Sequence, residues 1–472
     1  MKRKTKVICT IGPASESEEM IRKLMIAGMD VARLNFSHGT HEEQRKKFDA
    51  IKKVRADLHL PVAIMLDTKG PEYRIKTFEN KKIELKEGDT FIFTTEDVVG
   101  NEERVSVNFN HLTDNLKAGD RILVNNGLVI FEVKEVNGSD AICTCLAGGV
   151  LSDRKSMNFP NKVLDHPFLS DQDKDDILFG LKHGIDFVAA SFVSNKSDVK
   201  AIRDFLDENG GTDVEIIAKI ENRSGVDNIE EICELADGIM IARGDLGVEI
   251  PNIEVPSIQK YLISKCRMLG SRVITATEML ESMMQNPRPT RAEISDVANA
   301  VYDGTSAVML SGESASGKYP VEAVETMVKT VMFTEQQINY KKRFRNADFE
   351  VRSVLDAVSH SICQMAIDVE AKAIVVNSLS GRTSRMVSRF RCPVDIIGMT
   401  TSTRVWRKQN LSWGVTPVLC GTYDTMEEMF LNSMREAKVN FELKPGDNVV
   451  LTGGVLNGTS GNTNLIKVET IE

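Results

Sequence analysis

Two runs of apolar, β-forming residues, 214–218 and 238–242, end in Lys219-Ile220-Glu221 and Arg243-Gly244-Asp245. Side chains alternate along a strand, so Lys219 and Glu221 point the same way, toward a barrel interior or mouth, while Ile220 points outward. An amine held beside a carboxylate at a strand end is costly without a charged ligand, although a lone Lys-x-Glu also fits a structural ion pair. Other segments end in the same fashion: Arg33-Leu34-Asn35-Phe36-Ser37-His38, Asp67-Thr68-Lys69-Gly70 and Thr275-Ala276-Thr277-Glu278. The hydroxyl, amide and carboxylate oxygens of Asn35, Ser37, Asp67 and Thr68 are hard donors suited to alkali or alkaline-earth cations. Glu221 and Asp245 supply only two carboxylates. That is how Mg²⁺ is usually held when substrate oxygens and water complete its octahedron, so the implied ligand is a phosphate.

These ends need a scaffold that brings them to one rim. Residues 6–11, 31–36 and 62–66 read as strands, and 17–27 and 41–54 read as the helices between them, the alternation of a parallel sheet with crossover helices. It resumes at Ser170 with strands expected over 187–193, 214–220, 238–242, 273–277 and 307–310. Three strands plus five give a (β/α)8 TIM barrel, whose site lies at the C-terminal ends of the strands. The stretch between has short alternating strands, 90–94, 121–124 and 129–136, broken by Gly-Asp and Asn-Gly turns. It reads as a small inserted β-barrel lid at the catalytic rim, placed to exclude water. Strands near 373–376, 395–399, 414–419 and 448–452 predict a C-terminal open-sheet α/β domain. The expected divisions are 1–69 with 168–345, 70–167, and 346–472.

Composition removes several function classes. At 472 residues the chain exceeds one core, and 42% hydrophobic with 27% charged residues describes a soluble globular protein. A net charge of −9 opposes general nucleic-acid binding, which needs a positive surface. The eight cysteines stand singly apart from Cys143-Thr144-Cys145, which is too close for ordinary bridging and lacks a second pair for zinc. Reduced, mostly buried thiols in a cytoplasmic protein are expected. The basic start runs straight into Gly12-Pro13 with no apolar core of a signal peptide, and no apolar run reaches the roughly 18 residues that cross a bilayer.

Several long motifs together resemble one family. Residues 9–15 (CTIGPAS), 32–39 (ARLNFSHG), 66–72 (LDTKGPE), 218–222 (AKIEN), 242–247 (ARGDLG), 279–283 (MLESM) and 287–293 (PRPTRAE) closely resemble pyruvate kinase motifs, in order and along essentially the whole chain. The resemblance implies transfer of the phosphoryl group of phosphoenolpyruvate to ADP, giving pyruvate and ATP. It implies that Lys219 and Arg33 meet the phosphoryl group and that Glu221 and Asp245 hold Mg²⁺ or Mn²⁺. The Gly244 and Asp245 amides with the Thr277 hydroxyl would bind the substrate carboxylate. Asn35, Ser37, Asp67 and the Thr68 carbonyl would bind K⁺, and Glu72 marks a K⁺-requiring member. Arg74, His38 and Lys155 match nucleotide contacts, with Lys155 reaching in from the lid. Enolate protonation is attributed to water near Thr277 and Ser311, and the family is generally a homotetramer.

The chain departs from the family pattern in places. Asn125-Asn126 replace two lid aspartates, Ser156 a glycine, Tyr73 an isoleucine and Glu278 a glutamine. A catalytically weak paralogue acting as a metabolite sensor is one alternative; another is a barrel aldolase or lyase working on a pyruvate enolate. In the C-terminal domain, Ser378-Leu379-Ser380-Gly381-Arg382-Thr383 and the 453–462 segment resemble an effector loop for a sugar phosphate or nucleotide. A helix cap without a ligand explains the same residues.

Overall fold

The computed structural model of the chain describes residues 2–71, 73–125, 127–160, 162, 167–454 and 463–472. Glu72, Asn126 and most of the 453–462 segment lie outside the described residues.

Eight parallel strands close into a barrel: Lys6–Thr10, Val31–Asn35, Ala63–Asp67, Phe187–Ala190, Glu215–Ile220, Gly238–Ala242, Arg272–Ala276 and Ala307–Leu310. Each is an apolar run because a parallel strand in a barrel is covered on both faces. In the fifth strand Ile217 joins the interior core with Ile8, Met65, Phe187, Met240 and Met309. Ile216 and Ile220 instead join the outer core beneath the helices. Leu411 of the C-terminal domain packs into the same interior core. Several crossover helices begin at side-chain caps, with reciprocal capping boxes at Thr40 with Glu43 and Thr290 with Glu293.

Four strands stop earlier than expected, the first and second by one residue, and the stops of the fourth and seventh shape the site. The fourth ends at Ala190 rather than 193, because Phe192 turns into the left-handed region at φ 59°. The seventh ends at Ala276, with Thr277 and Glu278 at φ 66° and 53°. Side chains other than glycine enter that region at a cost, and the surrounding contacts must hold them there.

The insertion forms a seven-stranded sheet and a separate two-stranded pair. The sheet's edge strands, Tyr73–Arg74 and Arg104–Ser106, are drawn together by a bridge between Ile75 and Val107. Asn108 N also donates to Arg74 O at 3.0 Å, and Lys76 N to Ser106 O at 2.8 Å. The sheet therefore curls into closure around a core containing Phe91, Phe93 and Phe131. The C-terminal sheet has five strands. The four expected ones are parallel, and a fifth, Thr463–Thr470, pairs antiparallel with Asn448–Gly454. That edge strand was not read from the sequence because its residues alternate weakly and carry Lys467 and Glu469. The described cysteines are all free, six buried and two half-buried. No helix among the described residues is long and apolar enough to cross a membrane.

Candidate active site

Lys219 occupies the last inward position of the fifth strand but one residue, and its ammonium is gripped from three sides. Nζ donates to Ser191 Oγ at 2.7 Å and to Asp67 Oδ1 at 3.1 Å, with Glu221 Oε1 at 3.0 Å. Arg33, from the second strand, donates through Nε to the other oxygen of Asp67 at 2.7 Å and through Nη1 to Thr10 Oγ1 at 2.9 Å. Register explains the pairing, since Asn35 lies opposite Asp67 in adjacent strands and Arg33 is two residues back on the same face. One buried carboxylate thus holds two cations at fixed separation. Burial alone would raise Asp67, but Arg33 and Lys219 outweigh it and keep the carboxyl below its ordinary range. Burial also works against the charged form of Lys219, yet Asp67 and Glu221 hold its pKa above normal, so it stays an ammonium.

Glu221 is different. Its Oε2 accepts from Phe192 N at 2.6 Å, an alignment made by the left-handed turn at Phe192. Its Oε1 is buried and faces the Lys219 ammonium at 3.0 Å. Burial, reinforced by Asp245 and opposed by Lys219, pushes the carboxyl up to about 7. A buried carboxylate that already draws one cation, standing beside a second carboxylate, suits a further cation. Among the described residues no cluster of three His, Cys, Asp or Glu could hold a metal by itself, so any divalent ion here draws on further oxygen donors.

Of the monovalent-ion candidates, Asn35, Ser37 and Asp67 border the same cleft, and Asn35 and Thr68 are already engaged. Asn35 Oδ1 accepts from Ser37 N at 3.0 Å, and Thr68 O accepts from the Ser191 hydroxyl at 2.7 Å. Carbonyl and carboxylate oxygens each keep a second lone pair for an ion. Ser191 is the residue the sequence reading passed over. The sequence puts it inside an apolar run, whereas its hydroxyl links Lys219 to the Thr68 carbonyl and its N–H donates to Thr68 Oγ1 at 3.2 Å.

On the opposite wall Gly244 N donates to Thr277 Oγ1 at 2.8 Å, bringing together two of the expected carboxylate-binding groups. Arg243 fastens this wall: Nη2 donates to Thr277 O at 2.6 Å and Nη1 pairs with Asp296 at 2.7 Å. Glu313 ties the seventh and eighth strand ends, accepting from Leu280 N at 3.0 Å and Ser311 N at 2.7 Å. Ser311 Oγ is buried without a partner.

Part of this set lines a cleft of about 670 Å³ between barrel and lid. Arg33, Asn35, Ser37, His38, Asp67, Arg74, Lys219, Glu221 and Asp245 border it, as do Ser156 and Tyr73. Thr68, Lys155, Gly244 and Thr277 are not among the bordering residues; from the lid, Arg154 and Lys162 are. Tyr73 packs edge-on to Phe159 at 5.5 Å, and burial raises its hydroxyl to about 12. Lid and barrel also touch directly, Asn158 Nδ2 donating to Glu249 Oε1 at 3.0 Å.

At the far end, the expected effector residues are satisfied internally. Gly381 N donates to Ser378 Oγ at 3.0 Å, Arg382 N to Ser380 Oγ at 3.4 Å, and the Thr383 and Thr463 hydroxyls share a bond of 2.6 Å.

Residues 2–324 match the family described as pyruvate kinase, barrel domain, and residues 356–469 the one described as pyruvate kinase, alpha/beta domain. The chain belongs to the pyruvate kinase family. It is therefore a phosphotransferase on a TIM barrel, and no match favours the weak-paralogue alternative. The pyruvate kinase of Clostridium acetobutylicum is 46% identical over 472 residues, covering all of both chains. That of Geobacillus stearothermophilus is 48% identical over 474 residues, covering all of this chain and 81% of the relative. A crystal structure of a pyruvate kinase from Cryptosporidium parvum superposes with a TM-score of 0.94 at 39% identity, covering 99% of this chain and 96% of that one.

Proposed function

We propose that this member of the pyruvate kinase family transfers the phosphoryl group of phosphoenolpyruvate to ADP, giving pyruvate and ATP, with Mg²⁺ or Mn²⁺ and K⁺. The observation that carries the reading is the single Asp67 carboxylate that fixes both Arg33 and Lys219 at the mouth of the barrel. A migrating phosphoryl group spreads negative charge over its oxygens, and cations set in advance stabilise it without reorganisation. Lys219 also neutralises the enolate that the departing phosphoryl group leaves behind.

The Gly244 and Asp245 amides and the Thr277 hydroxyl bind the substrate carboxylate, and Arg243 keeps that turn in place. Glu221 and Asp245 hold the divalent ion. When bound, that ion offsets charge on the phosphoryl and enolate oxygens. Asn35, Ser37, Asp67 and the Thr68 carbonyl hold K⁺. Arg74 and His38, which border the cleft, contact the nucleotide, and Lys155 acts from the lid. The buried, unpartnered Ser311 hydroxyl fits an ordered water that protonates the enolate near Thr277. A homotetramer, a cytoplasmic setting and a sugar-phosphate or nucleotide effector at Ser378, Ser380, Gly381, Arg382 and Thr383 complete the proposal. Pyruvate release coupled to NADH oxidation, measured with and without Mg²⁺ and with K⁺ replaced by a large organic cation, tests it. Turnover requiring both ions is expected; turnover indifferent to both contradicts it.

A further inference from the structure

A second cavity, of about 580 Å³, opens beside the C-terminal domain at the opposite end of the barrel from the catalytic rim. Its walls come from the helix Val255–Leu269, the end of the helix Arg291–Asp303 and the short connecting helix Tyr340–Arg345. Arg267, Lys342 and Arg343 line it, together with Tyr302, Asn346 and the exposed Asp348.

The charges are unusual for a structural junction. Arg267 is 8% exposed, its Nε has no hydrogen-bond partner, and its Nη1 reaches the Arg389 carbonyl at only 3.4 Å. Arg343 donates to the Tyr302 carbonyl, and the buried Arg391 donates to the Gly304 carbonyl at 2.8 Å. None of these three guanidiniums, nor the Lys342 ammonium, pairs with a carboxylate among the described residues. The neighbouring Asp303 is committed to Lys260, and Glu335 to the backbone of Lys4 and Thr5. Burial and mutual repulsion both act on the cluster: Arg267 is pushed down to about 10 by burial first and then by Arg343, and Arg391 is lowered by burial and by both other arginines. Buried cations are ordinarily paired. Here the missing partner is an anion, and guanidiniums with an adjacent ammonium match the charge and oxygen geometry of a phosphate.

We propose that this cavity binds a phosphate monoester, with the phosphate held by Arg267, Lys342 and Arg343 and the rest of the ligand filling the remaining volume. Cavities of this size hold small metabolites. The ligand would join a barrel helix to the segment leading into the C-terminal domain, so it is placed to influence how those two parts sit. The site is separate from both the catalytic cleft and the Ser378–Thr383 loop.

Equilibrium dialysis of radiolabelled inorganic phosphate, with ionic strength held by chloride, counts sites on the full-length protein; ribose 5-phosphate is the second probe. Lys342→Glu and the Lys342→Gln/Arg343→Gln pair are compared with Arg382→Ala/Thr383→Ala in the loop. The account expects both variants in the connecting helix to lose one site per chain, or to bind it at least about tenfold more weakly, with turnover at saturating substrate unchanged and the loop variant retaining the site. Lys342 is exposed, so its replacement leaves folding intact even if the double variant does not fold. Wild-type stoichiometry and affinity in Lys342→Glu overturns the proposal, as does loss of all phosphate binding outside the catalytic cleft in the loop variant alone.

Discussion

Lys219 Nζ lies 3.1 Å from Asp67 Oδ1, a contact between side chains 152 residues apart in the chain. Because Asp67 Oδ2 is simultaneously taken by Arg33, the carboxylate acts as a spacer between two cations that would otherwise repel. Asp67→Asn keeps the shape and removes the charge, leaving two buried cations short of a counter-ion. We expect kcat/KM for phosphoenolpyruvate to fall by at least about 10²-fold and stability to drop by ~3 kcal/mol. Steady-state kinetics with a denaturant melt checks both.

Ser191→Ala removes the hydroxyl that accepts from Lys219 and donates to the Thr68 carbonyl. Loss of such bonds costs about 1–2 kcal/mol, or roughly 5- to 30-fold in kcat. Since Thr68 O would lose its anchor, the K⁺ concentration giving half activation should rise as well. A K⁺ titration distinguishes this from a purely structural defect, which would lower activity with no change in K⁺ response.

How much of this was legible beforehand differs by residue. The barrel and its order were, because each strand is a short apolar run followed by a segment of helical period. Lys219, Glu221 and Asp245 were, because charged side chains directly after an apolar strand stand out. Ser191 was not: in 187–193 it sits among apolar residues, and only the left-handed Phe192 reveals that the strand has already ended. Lys155 had a strong resemblance behind it, but Arg154 and Lys162 border the cleft, and Arg154 stands in a left-handed turn at φ 58° that no local pattern announces. The buried pairing of Glu249 with Asn158 joins two domains, and no local pattern encodes it.

Glu249 gives a pH-dependent expectation. It ends the helix Arg243–Glu249 against the lid, 9% exposed, and burial pushes its carboxyl up to about 7 although Asn158 donates to it. A raised carboxyl favours the folded state when protonated, so its contribution is whole below the ordinary carboxyl range and is lost as pH rises through about 7. Glu249→Gln should therefore be more stable than the parent at pH 8, by on the order of 1–3 kcal/mol, with the gap closing toward pH 5. Thermal melts across that range measure it, and a gap that widens at low pH contradicts it.

Glu221 predicts a matching effect on the divalent ion. Its carboxyl, raised to about 7 by burial and Asp245, must lose a proton to act as a ligand. Below pH 7 the Mg²⁺ concentration for half activation should climb by up to about tenfold per pH unit. Glu221→Gln should raise it at every pH and flatten the profile.

The central claim is that the Lys219 ammonium stabilises the migrating phosphoryl group and the enolate. The direct test is kcat of Lys219→Met with saturating phosphoenolpyruvate, ADP, Mg²⁺ and K⁺, in protein shown by circular dichroism to be folded. A fall of at least about 10³-fold is predicted, the scale of removing a cation from a phosphoryl-transfer site. A folded variant turning over within tenfold of the parent would contradict the account.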